Sequence, residues 1–577
     1  MPQHPPARQS DALPFHLLAV APGDLAAPSR PFTLRAADDL SAAMARLGQQ
    51  VTLETPNHLV LRGDPLRDTL ALDDPDVFTP AGLAGAVRLF GEGVALRDAL
   101  RDALASGGGG EAVLEAYSGL TALTDAARSA IAQAGDRTAA PAPAPTPEVP
   151  PASDAGDLDR LFEIVDAPAA DTPPPDTGAR LLRQFLNHGA GRRKPADAAP
   201  VAAVDALLGR QLAAILRTPA LRAAETFWLG LRRVVEATDF RGGDRITVVR
   251  LPRDETGAHL RKLDIADEAA VSAILVDAQL GHATRDMVWL AEVAEAAEDR
   301  RAPAVLGLAP GFFDAEVLPA DLPYPRTVLD NPRYDAWHAF RAKPASRWAA
   351  VTLNRPLLRE PRAGTRRSDL GLAEPVGGRA DLCWGNPAWL VAAAMARSAA
   401  ATGWPTEITG QGNAATPDLS LAPWDADDPD SPQIPLETLL DADACRDLAA
   451  CGIVPLSCRR NRDTAFLAQA PLAHRPEIYG DAAMTAASRA MATLPYQLGA
   501  ARLLAELDAL LGGIGAIDAD AAQRLALALN QRLGDAARVR AGLDPDPDRA
   551  DGNLLRLDVQ LGRDRAGGAR YGFAIPV

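Results

Sequence analysis

The stretches ITVVRL (residues 246–251) and VSAILV (residues 271–276) carry the clearest strand signals in the sequence. Both are mostly apolar and rich in β-branched residues, which is typical of strands buried inside a layered sheet. A helical stretch at Val288–Ala297 and a short apolar run at Ala304–Leu308 follow. Because strands alternate with helices, the sequence predicts an α/β (α+β) fold in which helices pack on mixed sheets.

The C-terminal residues predict a β-hairpin. Apolar side chains alternate with polar or small ones on both sides of the turn region Gly562–Gly568. The alternating apolar positions are Leu555, Leu557, Val559 and Leu561 before the turn, and Tyr571, Phe573 and Ile575 after it. An isolated two-stranded hairpin is marginal in water. It therefore needs a sheet to join, either in its own subunit or in a neighbouring one.

Two further helices have recognisable signals. Asn386 and Pro387 suit the N-cap and the first position of a helix that ends at Gly403. The stretch Asp481–Leu511 predicts a long helix, and Pro495 inside it predicts a kink.

A proline-rich segment divides the chain. Ten of the forty residues of Ala139–Gly178 are proline, a composition that buries too little apolar surface to offset the entropy of ordering. The predicted organisation is a small α/β domain over residues 1–136, a Pro/Ala-rich linker over 137–180 and a larger domain over 181–577. In the first domain, Phe15–Ala21 predicts a strand, and Leu40, Met44 and Leu47 have the spacing of a helix.

The linker contains one short amphipathic element, DLDRLFEIV, at residues 157–165. Leu158, Leu161, Phe162 and Val165 follow the i, i+3, i+4, i+7 spacing of one helical face. A nine-residue helix is too short to be stable alone. The pattern favours a linear motif that binds in a partner's groove, and the alternative is that it docks on its own domain.

Composition excludes several classes of function. The chain has 75 acidic and 59 basic residues and a formal net charge of −16, which argues against a nucleic-acid footprint and against adsorption to anionic lipid. Four cysteines without a CxxC pair fit a reducing compartment. Since no signal peptide or long apolar span is evident, we expect a cytoplasmic protein that does not insert into membranes.

No catalytic constellation stands out. The sequence has no phosphate-binding loop, no HExxH zinc motif and no GxSxG elbow, so we expect no catalytic residues, no metal and no cofactor. If the protein were a cytoplasmic enzyme, the best candidates would be the polar loop Gly410–Asn413 and the thiol of Cys458.

The region from about Val204 to the C-terminus resembles the large subunit of the type VI secretion contractile sheath. Trp384-Gly385-Asn386 and Leu494-Pro495-Tyr496 are the most specific signatures of this resemblance. The segments that carry it, in the family's order, are residues 204–240, 347–362, 383–410 and 452–507. The first part of the chain resembles the sheath small subunit at residues 13–24, 37–48 and 70–83. Together these resemblances imply a natural fusion of small and large subunits through the proline-rich linker.

The resemblance implies a structural rather than an enzymatic role. Members of this family polymerise into a helical sleeve around an Hcp-type inner tube, contact baseplate proteins and contract to propel the tube. Terminal strands complete sheets in neighbouring subunits, which would make Leu555–Leu561 and Tyr571–Ile575 inter-subunit strands. An AAA+ unfoldase of the ClpV kind would recognise Leu158, Leu161, Phe162 and Val165. The alternative is a sheath-derived, non-contractile module of the baseplate or cap.

Overall fold

The structure is a computed structural model of the chain. It describes residues 13–24, 27–108, 110–138, 195–265, 270–319, 322, 324–425, 428, 430–512, 518–534, 537–546, 553–562 and 568–576. Residues 139–180 of the predicted linker, including Leu158, Leu161, Phe162 and Val165, lie outside these residues.

Seventeen strands are defined within the described residues. They are β1 His16–Gly23, β2 Phe32–Leu34, β3 Gln49–Thr55, β4 Leu66–Leu72, β5 Arg245–Pro252, β6 Ala273–Leu280, β7 Ala304–Leu308, β8 Ala349–Leu353, β9 Leu357–Arg359, β10 Cys383–Trp384, β11 Ala422–Pro423, β12 Gln433–Ile434, β13 Ile453–Cys458, β14 Ala465–Leu467, β15 Ala537–Pro545, β16 Asn553–Leu561 and β17 Arg570–Pro576.

Sixteen α-helices are defined within the same residues. They are α1 Asp39–Leu47, α2 Pro80–Ala86, α3 Arg88–Ala105, α4 Glu111–Ala116, α5 Thr121–Thr138, α6 Pro195–Leu216, α7 Pro219–Ala237, α8 Thr256–Lys262, α9 Thr284–Asp299, α10 Pro325–Leu329, α11 Asp335–Arg341, α12 Ala388–Thr402, α13 Ala442–Ala450, α14 Ala482–Met491, α15 Leu494–Leu511 and α16 Ala519–Leu533.

An eight-stranded sheet in the order β14-β13-β8-β7-β6-β1-β5-β2 forms the core. The six inner strands are parallel, whereas the short edge strands β2 and β14 run antiparallel to their neighbours. Leu306 faces a core built with α9 and α11, and the adjacent Gly307 faces Asn386 before α12. Helices therefore cover both faces of the sheet, which confirms the predicted α/β class and explains the nearly continuous apolar strands.

The first part of the chain contributes to this sheet, so it is not a separate α/β domain as the sequence predicted. Every residue of β1 pairs with β5, and Leu17–Val20 pair with β6 on the other side. The residues from Phe15 to Val20 are almost fully buried, which an edge strand of a small separate sheet would not allow. The change of composition at the linker therefore does not mark a boundary between two folded domains.

The chain divides into two compact units: residues 1–55, 66–87 and 212–577 form one, and residues 56–65 and 88–211 form the other. The second unit is helical, with buried Leu100, Leu123 and Leu208. A Cβ on Gly93 would lie 2.9 Å from Leu208 Cδ2, so glycine permits this close helix packing.

One described stretch, Ala198–Leu216, is long and apolar enough to cross a membrane by length and composition alone. Half of it is buried within the protein. A core helix of a soluble protein meets the same criterion, so the finding is weak evidence for a span.

Two predicted helices differ in detail from the structure. The helix after the Trp-Gly-Asn signature begins at Ala388 and ends at Gly403, which has a left-handed φ of 77°. Pro387 occupies the cap position, while the Asn386 side chain accepts a hydrogen bond from the Ala388 amide at 3.0 Å. The predicted kink at Pro495 is instead a break between α14 and α15, because proline sits in the first turn of a new helix, where its missing N–H needs no partner.

Candidate assembly interface

The C-terminal hairpin belongs to a three-stranded antiparallel sheet in which β16 is central. Leu555 of β16 lies opposite Leu543 of β15 and opposite Ile575 of β17. Of the two alternatives left open by the sequence, the hairpin thus joins a sheet in its own subunit.

The strand β15 was missed by the sequence analysis. Val539 and Leu543 alternate with exposed Arg538 and Arg540, which is the period-two signal of a half-buried strand. The Asn530 side chain of α16 also fixes this strand. It accepts a hydrogen bond from the Val539 amide at 2.9 Å and donates one to the Val539 carbonyl at 3.2 Å.

The predicted apolar positions of the hairpin share one face, which packs on α15 and α16. Leu503 and Leu507 of α15 and Leu525 and Leu529 of α16 belong to the same core. The hairpin residues in this core are the buried Leu555, Leu557, Val559, Leu561 and Tyr571, with Phe573 and Ile575 partly buried against it. The inner face is therefore occupied within the subunit, and the strand edges remain for a neighbour.

Tyr571 anchors the last strand to α15. A Cβ on Gly499 would lie 2.1 Å from the Tyr571 hydroxyl, so the ring fits only because this helical position is glycine. The Tyr496 ring stacks on Tyr571 with centroids 4.6 Å apart. Burial raises the pKa of Tyr571, and within the described residues its hydroxyl has no hydrogen-bond partner.

Cross-strand ion pairs cover the opposite, solvent-facing side of the sheet. Arg570 donates from Nε to Asp558 at 2.8 Å, and Arg556 pairs with Asp544 on β15. The hydrogen bond from Arg570 lowers the pKa of Asp558. One apolar face and one charged face are typical of a sheet that packs on its own helices and meets water on the other side.

Both edges of this sheet are open within the described residues. β15 and β17 span nine and seven residues, and each is paired on one side only. An edge strand presents unpaired N–H and C=O groups that can pair with another chain. The geometry therefore permits β-strand addition by another polypeptide at two places.

The Trp-Gly-Asn signature has a structural explanation at the carboxyl end of β6. Asn386 donates from Nδ2 to Asp277 at 3.0 Å and to the Ala278 carbonyl at 3.1 Å, and the Trp389 indole donates to Asp277 at 3.2 Å. Burial raises the pKa of Asp277 to about 6, and the hydrogen bonds from Asn386 and Trp389 oppose the rise. A Cβ on Gly307 would lie 2.3 Å from Asn386 Oδ1, so the cluster depends on glycine in β7.

A buried ionic network joins α7 to β9. Arg359 donates to Glu225 at 2.6 Å and to Glu374 at 2.7 Å, and both carboxylates are almost fully buried. Burial opposes the charge on Arg359, but the two carboxylates more than compensate and raise its pKa. Removing one partner of such a network leaves a buried uncompensated charge, so the network favours a structural role.

The two sites that the enzyme alternative would use lack the expected properties. Gly410–Asn413 is an exposed loop whose first residue donates from its amide to the Leu467 carbonyl at 2.8 Å. Cys458 is buried, and burial raises its pKa to about 12, which keeps the thiol protonated at neutral pH. Since the thiolate is the reactive form, Cys458 is poorly suited to nucleophilic chemistry.

Comparison with known families gives two matches to sheath proteins. Residues 262–474 match the family VipB, described as EvpB/VC_A0108, tail sheath N-terminal domain. This region contains β6, β7, β8 and β13 of the central sheet. The chain is also 24% identical over 326 residues to the type VI secretion system sheath protein TssC1 of Pseudomonas aeruginosa. That match covers 51% of this chain and 65% of the relative, so the chain spans slightly less than two thirds of that protein's length.

Two solved structures show weaker similarity. One is the sheath complex of the extracellular contractile injection system PVC in its contracted state, with 10% identity, 58% of this chain and 76% of that chain covered, and a TM-score of 0.33. The other is the anti-feeding prophage (AFP) baseplate, with 12% identity, the same coverages and a TM-score of 0.32. Because both TM-scores are below 0.5, these similarities carry no argument about function.

Proposed function

We propose that the chain is a structural subunit of a type VI secretion contractile sheath, which polymerises around an Hcp-type tube and contracts to propel it. The observation that carries the proposal is the family match at residues 262–474, which falls on the central sheet. The open edges of the C-terminal sheet support it, because a non-closing contact between identical subunits generates a helical polymer. In this role the chain is cytoplasmic and has no active site of its own.

We also propose that the chain fuses a small-subunit-like and a large-subunit-like segment. The pairing of β1 with β5 and β6 supports this idea, because two separate chains would have to associate before this sheet could form. A linker makes that association intramolecular and fixes the stoichiometry at one to one. Splitting the gene within residues 139–178 should give two polypeptides that co-purify and are insoluble when expressed singly. Two independently soluble, monomeric halves would contradict the fusion.

Inter-subunit strand addition at β17 is the proposed polymer contact. We expect Ile575→Lys to prevent polymerisation, because a charge on the partly buried inner face of an edge strand opposes pairing with an added strand. Ala574→Lys adds the same charge on the exposed face, and we expect it to polymerise normally. Deleting Arg570–Val577 should also leave soluble protomers. Filaments of normal length from Ile575→Lys and from the deletion would overturn the contact.

A non-contractile baseplate or cap module is the alternative, and electron microscopy separates the two. A sheath subunit forms tubes with short, wide contracted forms, whereas a baseplate or cap module forms discrete rings. Contacts of the sheath with baseplate proteins follow from the first outcome.

Recycling by a ClpV-type unfoldase is the proposed role of Leu158, Leu161, Phe162 and Val165. Leu161→Asp combined with Phe162→Asp removes the apolar face of the motif, so it should abolish unfoldase binding and leave polymerisation intact. Unchanged binding in a pull-down with the purified unfoldase would exclude this role.

A further inference from the structure

A wide groove lies beside α13 and α14. It has a volume of about 1050 Å³. Its walls come from α10, α11, α13, α14, the segment between β14 and α14 and the start of α15. A nine-residue helix is about 13 Å long and 10 Å across, about 1000 Å³, so the groove is large enough for one face of such a helix.

The groove is strongly cationic although the chain carries a net charge of −16. The arginines that line it are Arg326, Arg341, Arg446, Arg475 and Arg489, and Asp330 is the acidic residue among the lining residues. Arg341 and Arg475 lie close enough for their charges to repel. Burial lowers the pKa of Arg341, and the positive charge of Arg475 lowers it further. Such a site focuses a positive potential that attracts carboxylates.

Three of these arginines have no carboxylate within ion-pair distance among the described residues. Arg326, Arg475 and Arg489 are exposed, whereas Arg446 pairs with Asp443 at 2.7 Å. Arg341 is buried and donates to the carbonyls of Ala473 and Ala450 at 3.0 Å each, so it contributes charge without being free to move.

Apolar side chains accompany the charge. Ile478 lines the groove and is 81% exposed. Tyr479, Met484 and Met491 follow within the next thirteen residues and are also exposed. Four of the ten exposed large apolar side chains of the described residues therefore fall in this short segment. Exposed methionines are frequent where a surface receives an apolar helix face.

We propose that this groove binds the acidic segment 151–176 of a neighbouring copy of the chain. That segment has seven acidic residues and one basic residue, and it includes the apolar positions Leu158, Leu161, Phe162 and Val165. An acidic segment with an apolar face complements a cationic groove whose lining includes the exposed Ile478.

The length of chain available permits binding to another copy. Residue 157 follows residue 138, the end of α5, by nineteen positions, a contour of about 60 Å at full extension. That reach exceeds the dimensions of the groove several-fold. The inference does not depend on the proposed sheath function, since it involves only copies of this chain.

A peptide titration tests the proposal. The probe is a fluorescent peptide of residues 151–176, and the receptor is the full chain carrying Leu161→Asp and Phe162→Asp, so that its own segment cannot compete. We expect saturable binding by fluorescence anisotropy, weakened at least tenfold when Arg475→Glu and Arg489→Glu are added. A peptide that carries the two aspartate substitutions should also bind at least tenfold more weakly.

The matched control adds Arg88→Glu and Arg285→Glu, which change the net charge equally at two highly exposed sites outside the groove. We expect this control to change the affinity less than twofold. Equal weakening by both pairs would show non-specific attraction and overturn the proposal, as would the absence of binding to the receptor. The unfoldase plays no part in this experiment, so the outcome is separate from the recycling proposal.

Discussion

The central sheet and the C-terminal sheet are built on opposite plans. The central sheet is covered by helices on both faces, and its edges are the three-residue strands β2 and β14. The C-terminal sheet is covered on one face, and its edge strands are nine and seven residues long. Short edges and buried faces limit pairing with other chains, whereas long open edges permit it.

This difference suits the central sheet to stabilising the subunit and the C-terminal sheet to contacts with other chains. The central sheet holds the two sequence segments together through β1, and its strand pairing is internal to the subunit. The C-terminal sheet depends on α15 and α16 for its core and retains unpaired backbone groups at both edges. In the proposed polymer, the central sheet would be the rigid body and the C-terminal sheet the connecting element.

The largest expected loss of stability comes from a cavity in the central sheet. Leu306→Ala in β7 should destabilise the protein by about 3–5 kcal/mol, because Leu306 is fully buried between two layers. Leu557→Ala in β16 should cost about 2–3 kcal/mol and act locally. Hydrogen exchange checks this difference: Leu557→Ala should increase exchange in β15–β17 and leave β6 and β7 protected. Equal loss of protection in both sheets would show that they unfold as one unit.

The next effect concerns Tyr571, which anchors β17 to α15. Gly499→Ala should release Tyr571 and destabilise the C-terminal sheet by about 1–3 kcal/mol, because the added methyl group overlaps the ring. Gly512→Ala is the control, since its Cβ would approach the nearest atom no closer than 3.6 Å. Tyr571→Phe should be neutral or stabilising, because it removes a buried hydroxyl without a partner among the described residues. Thermal unfolding of the three variants measures this order, and a stable Gly499→Ala protein would contradict the anchor.

The third effect is a pH dependence of the stability of the central sheet. Burial raises the pKa of Asp277 from its ordinary value of 3.8 to about 6 in the folded protein, so the unfolded chain loses its proton first as the pH rises. The contribution of Asp277 to the free energy of unfolding should therefore be greatest below pH 4. It should fall by up to about 2–3 kcal/mol as the pH rises from 4 to 6. Asp277→Asn should remove this fall. Parallel denaturant titrations at pH 4, 5 and 6.5 compare the two proteins, and identical pH profiles would refute the role of Asp277.

The sequence predicted local structure better than spatial arrangement. The runs around Ile246, Val271 and Ala304 were identified as strands because buried parallel strands leave an apolar signature. The insertion of β1 between β5 and β6 was missed, because pairing between residues more than two hundred positions apart leaves no local pattern. The break at Pro495 was predicted as a kink, since proline is compatible with both outcomes and packing decides between them.

The C-terminal sheet was predicted in part. The alternation from Leu555 to Ile575 correctly gave the hairpin and its buried face. It could not show that β15 completes the sheet in the same chain, because a period of two identifies a face and not a partner strand. The groove beside α14 was also missed: its arginines are spread from Arg326 to Arg489, and only folding brings them together.

The most direct test of the central claim is cryo-electron microscopy of the purified chain mixed with an Hcp-type tube protein. The account predicts helical filaments in which a strand from a neighbouring copy extends the C-terminal sheet at β17. Monodisperse monomers, or filaments in which both edges of that sheet remain uncovered, would contradict it.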